Sequence, residues 1–229
     1  MTLRSMLLCL LLAAVPSAVL ADGATPPSKD ETYLLNQMVR IPSLSVWDSP
    51  TQEWRAPLGN EGVLPTAKVR ILHLWGTYCV PCQEEFPILK QMDLQLRADY
   101  KGDVQFLFVA DSQSTGGAMK DFMAAHHAGM PAGLLFRDTE NKLASALLAA
   151  LPQQGVSQGR AETPSERSLS LPVTLLLDGD NVVRMAVVGS LVRRRGEVVN
   201  GIAQLHRTLS ALIPTGKTKV ANKKDRSFQ

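Results

Sequence analysis

The sequence predicts an α/β chain in which a mixed central sheet is flanked by helices on both faces. Three observations carry this. Mostly apolar runs at 69–75, 104–110 and 172–177 have the look of strands buried on both faces, and segments of helical period separate the earlier ones. The run 172–177 is followed by Asp178-Gly179-Asp180-Asn181 and a return strand over 182–188, a hairpin signal. Strands joined by helices at one end of the chain and an antiparallel hairpin at the other give a mixed sheet with helices on both faces. With 229 residues, 45% of them apolar and 20% charged, the chain fits one globular domain with extensions, and a disordered or fibrous protein is excluded.

In chain order, the first segment is a leader. Met1–Ser5 carries Arg4, residues 6–15 are apolar, and Ser17-Ala18-Val19-Leu20-Ala21 is a small-residue cleavage site before the polar Asp22-Gly23. About 20 apolar residues are needed to span a bilayer, so a cleaved signal over 1–21 is expected rather than an uncleaved membrane anchor. Residues 22–65 read as an extension packed on the core. Ser28-Lys29-Asp30-Glu31 is a capping box opening a short amphipathic helix with Leu34, Leu35, Met38 and Val39, which Ile41-Pro42 ends. An extended piece follows at 44–47, and Trp47 and Trp54 are expected to pin this segment down.

The domain proper is predicted over 66–213. The strand 69–75 leads through Gly76-Thr77-Tyr78 into a helix over 79–98, with Phe86, Leu89, Met92 and Leu96 on one face and Pro87 as a kink. A strand at 104–110, a helix at 119–128, a short strand at 134–136 and a helix at 141–151 follow. Residues 152–170 have no apolar period and read as a long surface loop. After the hairpin, Arg193-Arg194-Arg195 is a turn, and a helix over 197–212 closes the domain. Residues 214–229 form a basic tail expected to be disordered.

Charge narrows the partners. Arg4 falls in the leader, and 217–226 holds Lys217, Lys219, Lys223, Lys224 and Arg226 against Asp225, so the rest of this +3 chain is near −2. A body of that sign offers no nucleic-acid footprint.

The cysteines point to chemistry. Cys9 lies in the leader, which leaves Cys79 and Cys82 as the two thiols of the mature chain. A bridge between them encloses two residues and adds little by loop closure. The physics of Cys79-Val80-Pro81-Cys82 at a strand-to-helix junction supplies another purpose. Cys79 falls at the helix N-cap, where unpaired N–H groups and the macrodipole favour a thiolate, making it the attacking nucleophile. Cys82, one turn on and facing inward, is the resolving thiol, and Pro81 is tolerated so early in a helix. A zinc site needs four ligands, and His73, His126, His127 and His206 are not spaced to complete one. No metal is therefore expected, and no cofactor beyond the redox-active disulfide Cys79–Cys82. A copper(I)-binding chaperone without turnover is the alternative from another class. Thr77 stands two residues before Cys79, where thiol peroxidases have a threonine three before.

The run Leu74-Trp75-Gly76-Thr77-Tyr78-Cys79-Val80-Pro81-Cys82-Gln83-Glu84-Glu85-Phe86-Pro87 resembles the active-site segment of the exported thioredoxin-like TlpA/ResA group, and Leu171-Pro172-Val173-Thr174 stands where that family has its cis-proline. The resemblance covers about residues 40–213 and implies a thioredoxin fold. It implies a cis-Pro172 facing the disulfide, and a Leu171 backbone that pairs with extended substrate beside Trp75, Tyr78, Val80 and Pro81. It further implies a protein disulfide oxidoreductase of the periplasm or another exported compartment, most directly a reductase. Its substrate would be an exported protein such as apocytochrome c, its electrons would come from a membrane thiol donor, and it would be a monomer or weak dimer. An oxidase or isomerase is the near alternative. Where thioredoxins proper carry a buried carboxylate, six residues before the first cysteine, this chain has His73. His73, by its titration range, and Glu84 are the candidate proton handlers; Glu84 and its neighbour Glu85 also suit the helix dipole.

Overall fold

The apolar run after Ala67 forms the centre of the sheet. In the computed structural model the described residues are 34–56, 67–126, 135–150, 169–194, 197–198 and 201–213. The leader, the capping box, most of the 152–170 loop and the basic tail lie outside them. The strands are β1 (Ser45–Asp48), β2 (Glu53–Arg55), β3 (Val69–Trp75), β4 (Val104–Ala110), β5 (Leu135–Arg137), β6 (Val173–Asp178) and β7 (Val183–Val188), with two-residue β8 (Arg193–Arg194) and β9 (Glu197–Val198). The helices are α1 (Val80–Tyr100), α2 (Gly116–His126), α3 (Lys142–Ala150) and α4 (Gly201–Leu212).

Seven strands make one sheet in the order β2-β1-β5-β4-β3-β6-β7. β3, β4 and β5 run parallel, β6 is antiparallel to β3, and β7 returns beside β6. β3 is buried along its whole length, as a parallel strand covered on both faces must be. Strand alternation sorts its side chains. Val69, Ile71 and Trp75 join a core shared with Phe86, Leu89 and Met92 of α1, Phe122 of α2 and Leu205 of α4. Leu72 and Leu74 face the other way, toward Leu143 and Leu147 of α3. His73 therefore points at α1, since a strand repeats every two residues.

Two expectations need correction and a third is extended. The helix predicted through Val39 does not extend that far. Asn36 takes φ 62°, and the backbone from there pairs with the hairpin: Asn36 N–H donates to Val183 O, Val39 N–H to Asn181 O, and Met38 bridges to Val182. The extended piece is one strand of a pair, because β2 adds to β1 and β1 adds antiparallel to β5, with Trp54 against Trp47 at 5.1 Å. The last helix starts at Gly201 rather than 197, because Glu197–Val198 pairs with Arg193–Arg194. Gly201 fits there for lack of a Cβ, which would stand 2.7 Å from Leu191 O.

Candidate active site

β3 delivers the chain into α1 with the two cysteines at the joint. Cys79 is the N-cap, in extended conformation, and its sulfur accepts from the Cys82 backbone N–H at 3.3 Å. That places Sγ where a capping oxygen usually sits, satisfying a donor the first turn would otherwise leave open. Cys79 and Cys82 are joined by a disulfide, with sulfurs 2.03 Å apart and Cα atoms 5.3 Å apart. Cys79 retains 7% exposure and Cys82 none, so an approaching sulfur has access to the first cysteine only. Pro81 sits in the first turn, and the helix runs on through Pro87.

Opposite this joint the Leu171–Pro172 peptide is cis. Leu74 is registered with Val173 across β3 and β6, which sets Pro172 level with the end of β3, beside the residues that lead to Cys79. The Pro172 carbonyl accepts from Gly189 N–H at 2.7 Å. A C-x-x-C disulfide capping the helix after β3, with a cis-proline entering antiparallel β6, decides the architecture.

The fold is thioredoxin-like. No protein-family model matches the chain, and no curated protein matches it. Similar solved structures include a putative thiol:disulfide interchange protein DsbE from Chlorobium tepidum, 22% identical with TM-score 0.48, covering 78% of this chain and 99% of that one. Another is StoA from Bacillus subtilis, 15% identical with TM-score 0.44, covering 74% and 98%. AhpC from Mycobacterium tuberculosis is 15% identical with TM-score 0.47, covering 78% and 96%. At such identities and scores, the chemistry of this thioredoxin-like chain rests on its own residues.

The surface round the thioredoxin-like disulfide is apolar. Val80 and Tyr78 are 59% and 54% exposed, and Pro81 is exposed beside them. The Tyr78 ring folds back over Gly76, where a Cβ would stand 2.9 Å from Tyr78 Cε1 and 3.3 Å from Leu171 Cδ1. Glycine is required there by this close approach. Tyr78 Oη–H donates to Asp111 Oδ2, whose other oxygen accepts from the Ser114 backbone N–H and Oγ–H. Ser114 Oγ in turn accepts from Thr77 N–H, and Trp54 Nε1–H donates to Ser114 O. Partial burial, then the Asp111 carboxylate, pushes the Tyr78 hydroxyl above its ordinary range. Nothing in the sequence paired Asp111 with Tyr78; the loop after β4 brings them together. Trp75 is corrected: it is wholly buried against Phe86 and Phe122 at 4.9 and 5.2 Å, so it supports the site from beneath and offers no contact surface.

The proton-handling candidates also move. Glu84 is exposed on the helix, and its neighbour Glu85 is the buried carboxylate, 1% accessible. Cys82, Glu85, Phe86, Leu89, Met92 and Leu96 form the inward face of α1. That three- and four-residue spacing was the signal that could have picked Glu85 over Glu84. Glu85 Oε2 accepts from Ser190 Oγ–H at 2.6 Å and Leu191 N–H at 3.0 Å. Burial outweighs both bonds and pushes its pKa up to about 7. His73 is wholly buried, 3.0 Å from Thr174 Oγ1 through Nδ1 and 3.5 Å from Glu85 Oε1 through Nε2. Burial pushes it down to about 3, so it stays neutral and does not titrate in the usual histidine range. Its contact with Glu85 is therefore not an ion pair. Among the described residues no group of three metal-ligating side chains occurs, and no helix is long and apolar enough to cross a membrane.

Proposed function

We propose that this chain is an exported thiol–disulfide oxidoreductase that reduces protein disulfides. The single observation that carries the reading is the Cys79–Cys82 disulfide at the start of α1, its outer sulfur capped by a backbone N–H, beside a cis-proline and an apolar collar. In the reduced protein the same N–H and the helix dipole favour a Cys79 thiolate.

The chemistry runs in two steps. The Cys79 thiolate attacks one sulfur of the substrate disulfide, that S–S bond breaks, and the other substrate sulfur leaves as a thiolate. Cys82 then gives its proton to the Glu85 carboxylate, one turn further along the same inward face. The Cys82 thiolate attacks Cys79 Sγ, and the second substrate sulfur leaves. The substrate gains two electrons and the enzyme closes its own disulfide, which a dithiol donor must reopen.

Reduction is favoured over oxidation by the local charge. A strong oxidant needs a stabilised thiolate, yet from 71 to 89 the chain has no Lys or Arg and two glutamates. The leader over 1–21 supports export. The collar of Tyr78, Val80, Pro81 and Leu171 suits an extended apolar segment of an exported protein, docked by its backbone at Leu171; apocytochrome c is one such substrate, and a membrane thiol protein the donor. Insulin reduction with dithiothreitol as donor tests the activity, and the potential of the Cys79–Cys82 pair tests the direction. A potential below about −220 mV supports a reductase, and one near about −120 mV makes the protein an oxidant instead. Absence of thiol exchange together with tight copper(I) binding would replace the enzyme by a metal carrier.

A further inference from the structure

The buried polar atoms between β3 and α1 do not pair off. His73 Nε2 and Glu85 Oε1 each have no hydrogen-bond partner among the described residues, and they face each other at 3.5 Å in a site closed to solvent. Two buried acceptors opposed in this way are repulsive, and two orphaned polar atoms are costly. One proton between them removes both problems.

We propose that His73 is a positioning residue that accepts a hydrogen bond from protonated Glu85, and so sets how tightly that carboxyl keeps the proton it takes from Cys82. The inference deepens the two-step reading above and rests on it for the origin of the proton. The tautomer follows: with Nε2 the acceptor, Nδ1 carries the ring hydrogen and donates to Thr174 Oγ1. Among the described residues nothing else around the ring competes for this role. Phe106 and Phe108 cover it from β4 and Phe86 from α1, at ring separations of 6.4, 6.0 and 6.4 Å. Thr174 meets it from β6, and Ser190 and Leu191 occupy only the far oxygen of Glu85. A hydrogen bond made to the neutral form of an acid favours that form, so the imidazole acts in the same direction as burial and against the two donors on Oε2. The bond must be lost when Glu85 ionises, which makes the carboxyl a reluctant proton donor until Cys82 needs its proton back on re-reduction.

The test follows the Glu85 side-chain carboxyl by carbon-13 NMR from pH 5 to 9 in the oxidised full chain, without substrate, for the native protein, His73→Phe and His73→Gln. Phenylalanine fills the aromatic site but accepts no hydrogen bond in the plane; glutamine keeps an acceptor. The expected result is that His73→Phe lowers the proton affinity of Glu85 at least about tenfold, one pH unit, and that the His73→Gln midpoint lies nearer to the native value. A smaller fall with phenylalanine, or a glutamine midpoint nearer to that of phenylalanine, overturns the proposal. Should His73→Phe not fold, nitrogen-15 shifts of the native ring decide: an unprotonated Nε2 and protonated Nδ1 below the Glu85 midpoint are required, and a protonated Nε2 overturns it. Because no thiol exchange enters these titrations, an inactive protein with a responsive Glu85 sinks the oxidoreductase reading alone. An active protein with an unresponsive Glu85 sinks this inference alone.

Discussion

Replacing Glu85 by glutamine converts the buried acid into a permanent copy of its protonated form. The amide oxygen can accept from Ser190 Oγ–H and Leu191 N–H as Oε2 does now, and the amide N–H₂ faces His73 Nε2. The native carboxyl has a pKa of about 7 against an ordinary 4.5, so the folded chain holds this proton more tightly than the unfolded one. The sign follows: Glu85 contributes fully to stability below about pH 4.5, and that contribution is lost as pH rises to about 7. The loss is on the order of 3 kcal/mol. Urea denaturation of the oxidised protein between pH 5 and 8.5 measures it as a difference, since every other titrating group is shared by the two chains and cancels. Glutamine should gain on the native chain by about 2 to 3 kcal/mol over that range. A gap that stays constant within about 0.5 kcal/mol means that Glu85 ionises as an ordinary carboxylate in the fold. The reasoning about its burial would then be wrong.

Other outcomes follow from the same geometry. Cys79→Ser should abolish insulin reduction, whereas Cys82→Ser should accumulate a stable mixed disulfide visible on a non-reducing gel; normal turnover by Cys82→Ser contradicts the two-step scheme. In the reduced protein iodoacetamide at pH 7 should modify Cys79 well before Cys82, because Cys82 is wholly buried, and mass mapping of the first adduct reads this directly. Tyr78→Phe removes the hydroxyl that Asp111 accepts from and should cost about 1 kcal/mol in denaturation while leaving the disulfide intact. Asp138→Ala strips the start of α3 of the carboxylate that accepts from Lys142, Leu143 and Ala144 N–H. It should cost about 1 to 2 kcal/mol by calorimetry without changing the reduction potential.

Strands buried on both faces were readable because their apolar runs have no ambiguity of face; the predicted 104–110 coincides with β4. The hairpin was readable from its turn residues, and the C-x-x-C from its place after a buried strand. What escaped the sequence depends on partners distant along the chain. Asn36 leaves the helix because Val183 O lies within reach, and the extended piece expected at 44–47 finds its partner because β5 has an open edge. No local pattern names either partner. Trp75 is no contact residue for a related reason: the strand alternation that buries Val69 and Ile71 toward α1 also buries it. Between Glu84 and Glu85 helical phase decides, because Glu85 shares the inward face with Cys82 and Phe86.

Helical phase also divides labour around the disulfide. Cys79 and the exposed Tyr78, Val80 and Pro81 face outward, while Cys82, Glu85 and His73 face the aromatic layer formed by Trp75, Phe86, Phe106, Phe108 and Phe122. In the proposed cycle electrons are exchanged at the rim, and Cys82, wholly buried in the disulfide form, calls for a proton acceptor within the core. A glutamate whose pKa burial raises to about 7 can fill that role with little penalty, because near that pH its carboxylate form is populated and binds the proton readily. A histidine driven to about 3 cannot take that proton itself but can hold the acid that does. His73 on β3 and Glu85 on α1 therefore fit a division in which the helix carries the acid and the strand supplies its acceptor.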